Sequence, residues 1–319
     1  MFKFNNINVI GGGGNFIDLA RVIGIGCVIY GHCHPFLGEI DVASRFIVYT
    51  FHMPLFFIVS GMLEREKNEH ILLFIKKIAY CLLLPYLIYN IPYFVGILNN
   101  PKGILTGFFT SNTPPNDPTW FFYALFFVKL ITKAFERWRL QLLTTCLLLY
   151  LLLEFTGVSI GSYLCAHAII TGTIFYELGH YLNRWLGKKS LLYIFPAAIF
   201  CCALSTAQIE RYDMFLGYCG NPILYITTSF CVATVILLLC RYLACIVPQR
   251  FMDKLLPISR GTMLIVGTHY IIAHFANKLL FDSYPLLSVK IIYTIALLLV
   301  YWILISLTYN KFKFLYGKK

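Results

Sequence analysis

Three ionisable residues stand inside the first apolar run of the chain: Asp18, Arg21 and His32. A charged group at the centre of a lipid-spanning helix costs about 2.5 kcal/mol or more on insertion scales, so such groups mark function by default. On a helix turning about 100° per residue, the step from Arg21 to His32 amounts to three full turns and about 20°. The two side chains share a face and stand about 16 Å apart along the axis. Asp18, one turn before Arg21, can pair with it and limit its desolvation cost. This spacing suits a cation that holds a phosphate or a polar carrier arm, with an imidazole three turns deeper that works on the reactive end. Histidine fits that work because its pKa of about 6.5 lets it take and return a proton near neutral pH. The plainer alternative is an internal Asp18–Arg21 ion pair and a hydrogen-bonded packing histidine.

Other polar groups lie at related depths. His52 begins the second apolar run on the outer side and can reach the depth of His32. His34 points about 200° away from His32 on an ideal wheel and reads as interfacial. In the sixth run Glu177, His180 and Arg184 form one helical stripe in the inner half, for which an interhelical hydrogen-bond network is the plain account. His269 sits near the middle of the ninth run with His274 more than a turn beyond, and periodicity assigns neither a role. Trp120 opens the fourth run at the outer interface, where tryptophan commonly anchors a helix and can also meet substrate. The Gly11–Gly14 run lacks the Gly-Lys-Ser/Thr ending and the preceding strand of a phosphate loop, so it reads as a flexible lead into the first helix.

These residues need a frame, and composition supplies it. Of 319 residues, 59% are hydrophobic and 13% charged, with a mean hydropathy of +0.74. Soluble domains carry about a quarter charged residues, and a single soluble core stops growing near about 250 to 300 residues. The apolar residues must therefore face lipid. A content of 28 Phe and 22 Tyr excludes disorder. The cysteines form no C-x-x-C pair, and most, such as Cys27, Cys81, Cys146, Cys231 and Cys240, lie within the apolar runs. They read as small buried hydrophobes with reduced thiols, and no metal site is expected.

A crossing helix needs about 20 apolar residues, and ten such runs are expected at 16–37, 44–63, 73–96, 119–137, 140–157, 163–185, 190–208, 221–245, 259–281 and 286–309. The expected fold is all-α, a polytopic membrane helical bundle of about ten transmembrane helices. Four prolines between Asn99 and Pro118 mark a structured loop.

The net charge of +12 falls in short clusters between apolar runs. Such clusters are topology signals rather than a phosphate-binding face, so no nucleic-acid partner is expected. One set of loops holds Arg65, Lys67, Lys76 and Lys77; Lys133, Arg137 and Arg139; Arg184, Lys188 and Lys189; Arg241, Arg250, Lys254 and Arg260; and Lys311, Lys313, Lys318 and Lys319. The opposite set holds only Arg45, Lys102, Arg211, Lys278 and Lys290. Loops that stay in the cytoplasm accumulate Lys and Arg, so both N- and C-termini are expected to be cytoplasmic. The expected division is a cytoplasmic N-terminal segment over 1–15, a transmembrane domain over 16–310 and a basic cytoplasmic tail over 311–319. The polar lead and the absence of a small-residue cleavage site argue against a signal peptide.

The order of motifs resembles a known family. Arg21, ten residues, His32, then Phe51-His52-Met53-Pro54-Leu55-Phe56-Phe57-Ile58-Val59-Ser60-Gly61 resembles the opening of the acyltransferase family 3 membrane proteins. Leu84-Pro85-Tyr86, then Trp120-Phe121-Phe122-Tyr123-Ala124-Leu125, then Gly261-Thr262-Met263 ahead of His269 follow in the family's order, and the resemblance covers nearly the whole chain. Within the family the chain looks closest to the fucose 4-O-acetylase-like branch. The resemblance implies a ten-helix enzyme of the bacterial inner membrane that moves an acyl group, usually acetyl, from cytoplasmic acyl-CoA to a hydroxyl of a cell-surface carbohydrate.

On that reading acetyl-CoA is the donor substrate, and a carbohydrate or lipid-linked glycan is the acceptor, with membrane lipids around the bundle. His32 and Arg21 are the catalytic pair. Arg21, Lys76, Lys77, Arg184 and Arg260 hold the anionic CoA, while His52, Trp120 and His269 meet the substrate. Asp18, Glu177 and His180 are structural polar groups. His32 removes the acceptor's hydroxyl proton, either directly or after carrying the acyl group itself. Many members have an Arg-x-x-Arg pair before the third span; here Lys76 and Lys77 stand there as compact point charges without a planar fork. The competing class is a transporter or flippase, which would also bury charges along a central pathway.

Overall fold

The computed structural model describes residues 14–33, 39–64, 69–97, 117–158, 165–185, 213–215, 217, 220–277, 279 and 287–318. Among these the regular elements are all helical. They are α1 (Gly14–Gly31), α2 (Glu39–Met62), α3 (Ile71–Ile78), α4 (Leu84–Ile97), α5 (Trp120–Ala134), α6 (Arg139–Thr156), α7 (Ala166–Trp185), α8 (Pro222–Ile246), α9 (Gln249–Arg260), α10 (Thr262–Ala276) and α11 (Leu287–Thr308), with a final 3-10 turn at Lys313–Tyr316.

The bundle is apolar outside and holds many of its polar groups inside. Leu148, Leu152 and Phe155 on α6 and Leu299, Ile303 and Leu307 on α11 are exposed, whereas His52, Thr171, Glu177 and His269 are buried. Lipid, not water, solvates such an exterior, and the protein is an integral membrane protein. Four described stretches are long and apolar enough to cross: Ile71–Ile91, Glu136–Thr156, Pro222–Ile246 and Leu287–Thr308. The pair α9 and α10, bent by 64°, makes a fifth if it counts as one broken span. The expected run 190–208 lies outside the described residues.

Two expected spans depart from a regular α-helix, each for a local reason. Over 73–96, α3 and α4 meet through a π-helical turn at Ala79–Leu83. Pro85 has no N–H to give the Cys81 carbonyl, and the ladder widens so that Leu84 N–H reaches back to the Ala79 carbonyl. The segment around the 3-10 turn at Lys313–Tyr316 closes over the π-helical turn. Gly317 has φ +62°, and a Cβ there would lie 2.3 Å from the Cys81 oxygen, while Tyr89 donates its hydroxyl to the Leu315 carbonyl at 2.7 Å. Over 259–281 the helix breaks at Gly261. The helix before it, α9, is amphipathic, with Gln249, Arg250, Asp253 and Lys254 exposed and Met252 and Ile258 buried. By contrast α8 begins as its sequence dictates: Asn221 caps it by accepting from the N–H groups of Ile223 and Leu224, and Pro222 takes the first helical position.

The most extensive helix contact is between α2 and α7, and glycine makes it possible. A Cβ on Gly61 would lie 1.9 Å from the Tyr176 carbonyl oxygen, and one on Gly179 would lie 2.1 Å from that of Ile58. Small residues let helix backbones touch, which is how membrane helices gain packing energy without a hydrophobic driving force between them. Gly61→Ala is expected to cost about 1–3 kcal/mol through overpacking and to lower the melting temperature of the detergent-solubilised protein. A melting temperature equal to wild type would show that the backbones do not meet there.

Candidate active site

Three histidines from three helices converge. His32 sits just past the end of α1, His52 in the middle of α2 and His269 in the middle of α10. Each uses the same local device, a ring Nδ1 turned back onto the carbonyl of the preceding helical turn. The distances are 2.8 Å from His32 to Val28, 2.7 Å from His52 to Val48 and 2.7 Å from His269 to Ile265. A carbonyl only accepts, so each Nδ1 carries the hydrogen, and in the neutral rings Nε2 carries the lone pair. The Nε2 of His269 lies 3.2 Å from the Nδ1 of His32, and the two rings meet edge to face at 4.9 Å. His32 therefore donates one hydrogen in a three-centre bond, to Val28 and to His269.

In front of His32 is a cavity of about 200 Å³. His32, His52, Tyr49 and Tyr270 supply its polar wall, and Trp120, Phe121, Phe122, Phe56 and Phe215 its aromatic one. The Tyr270 ring stands edge-on to His32 at 5.6 Å, and the Tyr49 ring edge-on to His52 at 5.1 Å. Trp120 is the first residue of α5 and stacks on Phe215 with ring centres 5.4 Å apart. Asp213 and Met214 border the cavity beside Phe215, and the Met214 carbonyl lies 3.2 Å from Nδ1 of His167, whose Nε2 meets Glu154 at 2.8 Å. His269 is fully buried and is not among the lining residues; it lies behind His32.

Arg21 lies on the same unbroken helix as the approach to His32. Its guanidinium is 3.8 Å from Asp18, whose other contact is the Ser259 hydroxyl at 2.5 Å. Arg21 remains a third exposed. Lys76 and Lys77 end α3 and are exposed, with Lys77 3.7 Å from Glu69. Arg260 lies over the Tyr309 ring at 5.9 Å. The side chains of Arg184 and Arg45 and all of His34 lie outside the described residues.

The stripe on α7 belongs to a different cluster. Glu177 accepts two hydrogen bonds from Arg139, at 2.9 and 3.2 Å, and the other arm of Arg139 donates to Glu64 at 2.5 Å. His180 approaches Glu64 at 3.9 Å. This cluster ties α2, α6 and α7 together beside the Gly61–Gly179 crossing. Arg139 and Glu64 went unread as partners in the sequence, because no periodicity relates residues on different helices. Lys129 was missed despite a visible signal, a lone cation inside an apolar run. It donates to the Tyr176 hydroxyl at 3.2 Å and lies 5.2 Å from that ring's centre, within Coulombic range of Arg21, Lys77 and Glu64.

An imidazole Nε2 at the wall of a small aromatic cavity can take a proton from a hydroxyl placed there, and the aromatic walls thin the competing water. A family model described as an acyltransferase domain matches residues 15–308 of the chain. Comparison with curated proteins and with solved structures finds no match.

Proposed function

The chain belongs to that acyltransferase family, and from this membership we propose that it takes an acetyl or related acyl group from cytoplasmic acyl-CoA and places it on a hydroxyl of a cell-surface or lipid-linked carbohydrate. The observation that carries this reading is His32, held at the cavity wall just past the end of the helix that carries Arg21. Arg21, with Lys76 and Lys77, holds the phosphates of CoA and directs the thioester along α1. The acceptor sugar enters the aromatic cavity, where His52 and Trp120 contact it. Its hydroxyl oxygen attacks the thioester carbonyl carbon as the hydroxyl proton passes to Nε2 of His32. The tetrahedral intermediate collapses, the C–S bond breaks, and the CoA thiolate takes the proton back from His32. In this reading the protein crosses the bacterial inner membrane about ten times with both termini cytoplasmic, since the basic loops lie on one side.

Purified protein incubated with radiolabelled acetyl-CoA and glycan fractions is expected to transfer label to a glycan in an ester sensitive to mild base. A flippase reading takes support from the break between α9 and α10 beside the cavity, and movement of glycan with no label incorporated would favour it.

The donor side is tested by titration calorimetry. Arg21→Ala should weaken CoA binding, and Arg21→Lys should recover it only in part if the planar fork grips a phosphate. Exposed charges are screened over about 8 Å at physiological ionic strength. CoA affinity should therefore fall with added salt, and the Lys76→Ala/Lys77→Ala protein should lose much of that slope. Unchanged affinity in Arg21→Ala would leave Arg21 a structural role beside Asp18.

A further inference from the structure

We propose that His269 is a positioning residue that acts through His32, an inference that rests on His32 being the base of the reaction above. His269 is fully buried and absent from the cavity wall, so it does not reach a substrate in the cavity. Its Nε2 faces the Nδ1–H of His32 at 3.2 Å, while its own Nδ1 is committed to the Ile265 carbonyl at 2.7 Å. That commitment leaves Nε2 as an acceptor aimed at the back of the His32 ring. The arrangement parallels the orienting group behind a catalytic histidine, with a neutral imidazole where a carboxylate often stands.

The segment that carries His269 is fixed on two further sides. At Gly267 a Cβ would come within 2.3 Å of the Tyr89 ring, so α10 lies flush against α4. The Thr268 hydroxyl shares a 2.6 Å hydrogen bond with Tyr301 of α11. An acceptor on so constrained a backbone turns the His32 ring as a unit and holds its Nε2 toward the cavity. When that Nε2 receives the acceptor's proton, positive charge spreads over the His32 ring, and the Nδ1–H bond to His269 becomes charge-assisted. The proton leaves again from Nε2 to the CoA thiolate, and His269 ends the cycle unchanged.

Two measurements on the full-length protein test this. First, with 15N-labelled histidine, His32 Nδ1 and His269 Nε2 should show a through-hydrogen-bond nitrogen–nitrogen coupling that disappears in His269→Gln. Its absence from wild type overturns the proposal. Second, His269→Leu keeps bulk but removes the acceptor. Its kcat should fall about 10- to 100-fold with KM for acetyl-CoA unchanged, the range found when outer hydrogen-bonding partners of metal-bound imidazoles are removed. His269→Gln, which retains an acceptor oxygen, should recover part of that loss. Wild-type kcat in His269→Leu, or equal losses in both variants, would overturn the positioning role. If wild-type protein transfers no acyl group to any glycan, the reading of the reaction fails, while the coupling still decides whether the two rings are paired.

Discussion

Acyl transfer by His32→Ala protein is expected to fall by about 10²- to 10⁴-fold, the usual contribution of a general base, while the protein stays inserted and folded. The ring's hydrogen bond to Val28 lies within its own helical turn, and it meets His269 and Tyr270 edge-on. It lies at the wall of an existing cavity, so truncation enlarges a space that is already open instead of creating a void in packed core. Initial rates of label transfer, with size-exclusion profile and melting temperature alongside, separate chemistry from folding. His32→Gln refines the result, because it keeps polarity and size near the cavity but offers no basic nitrogen. A rate close to wild type in either protein would remove His32 from the chemistry.

Arg139→Met should have the opposite signature, a large loss of stability with the cavity's own residues untouched. Arg139 is buried between two carboxylates, that of Glu177 fully buried and that of Glu64 nearly so. Removing the cation leaves negative charge in a site built to neutralise it, and breaking a buried pair in this way costs about 3–5 kcal/mol. The triple variant Arg139→Met/Glu64→Gln/Glu177→Gln removes the uncompensated charge and should recover most of that loss. Arg139 Nε is itself buried without a hydrogen-bond partner, so the native cluster is not fully satisfied and an uncharged replacement gives up little. Thermal unfolding of the solubilised proteins decides the matter. If the single variant melts with wild type, the cluster does not lock α2, α6 and α7.

The sequence is informative where a single helix carries the information. The contact between Asp18 and Arg21 follows from their spacing on α1, and the helix expected there carries Arg21 and stops at Gly31, one residue short of His32. What the sequence does not announce is pairing between helices. His32 and His269 touch although they are 237 residues apart, and Arg139, a basic residue in a loop-like cluster by charge pattern, turns inward to Glu64 and Glu177. A second kind of miss concerns continuity. An apolar run reads the same whether its helix is whole or broken, so the π turn at Ala79–Leu83 and the bend at Gly261 escape hydropathy, although Pro85 and Gly261 stand in plain view. The α9 helix escapes it too, because half of its surface is polar.

The contact between the last turn and the π turn also bears on the order of assembly. Tyr89 and Leu315 are 226 residues apart, and at synthesis rates of about 5–20 residues per second they are made on the order of ten to forty-five seconds apart. Through that interval the Cys81 carbonyl lacks the segment that seals it in the finished protein. The α3–α4 seam is thus sealed by a segment made long after it, and its closure waits on the synthesis of the turn at Lys313–Tyr316.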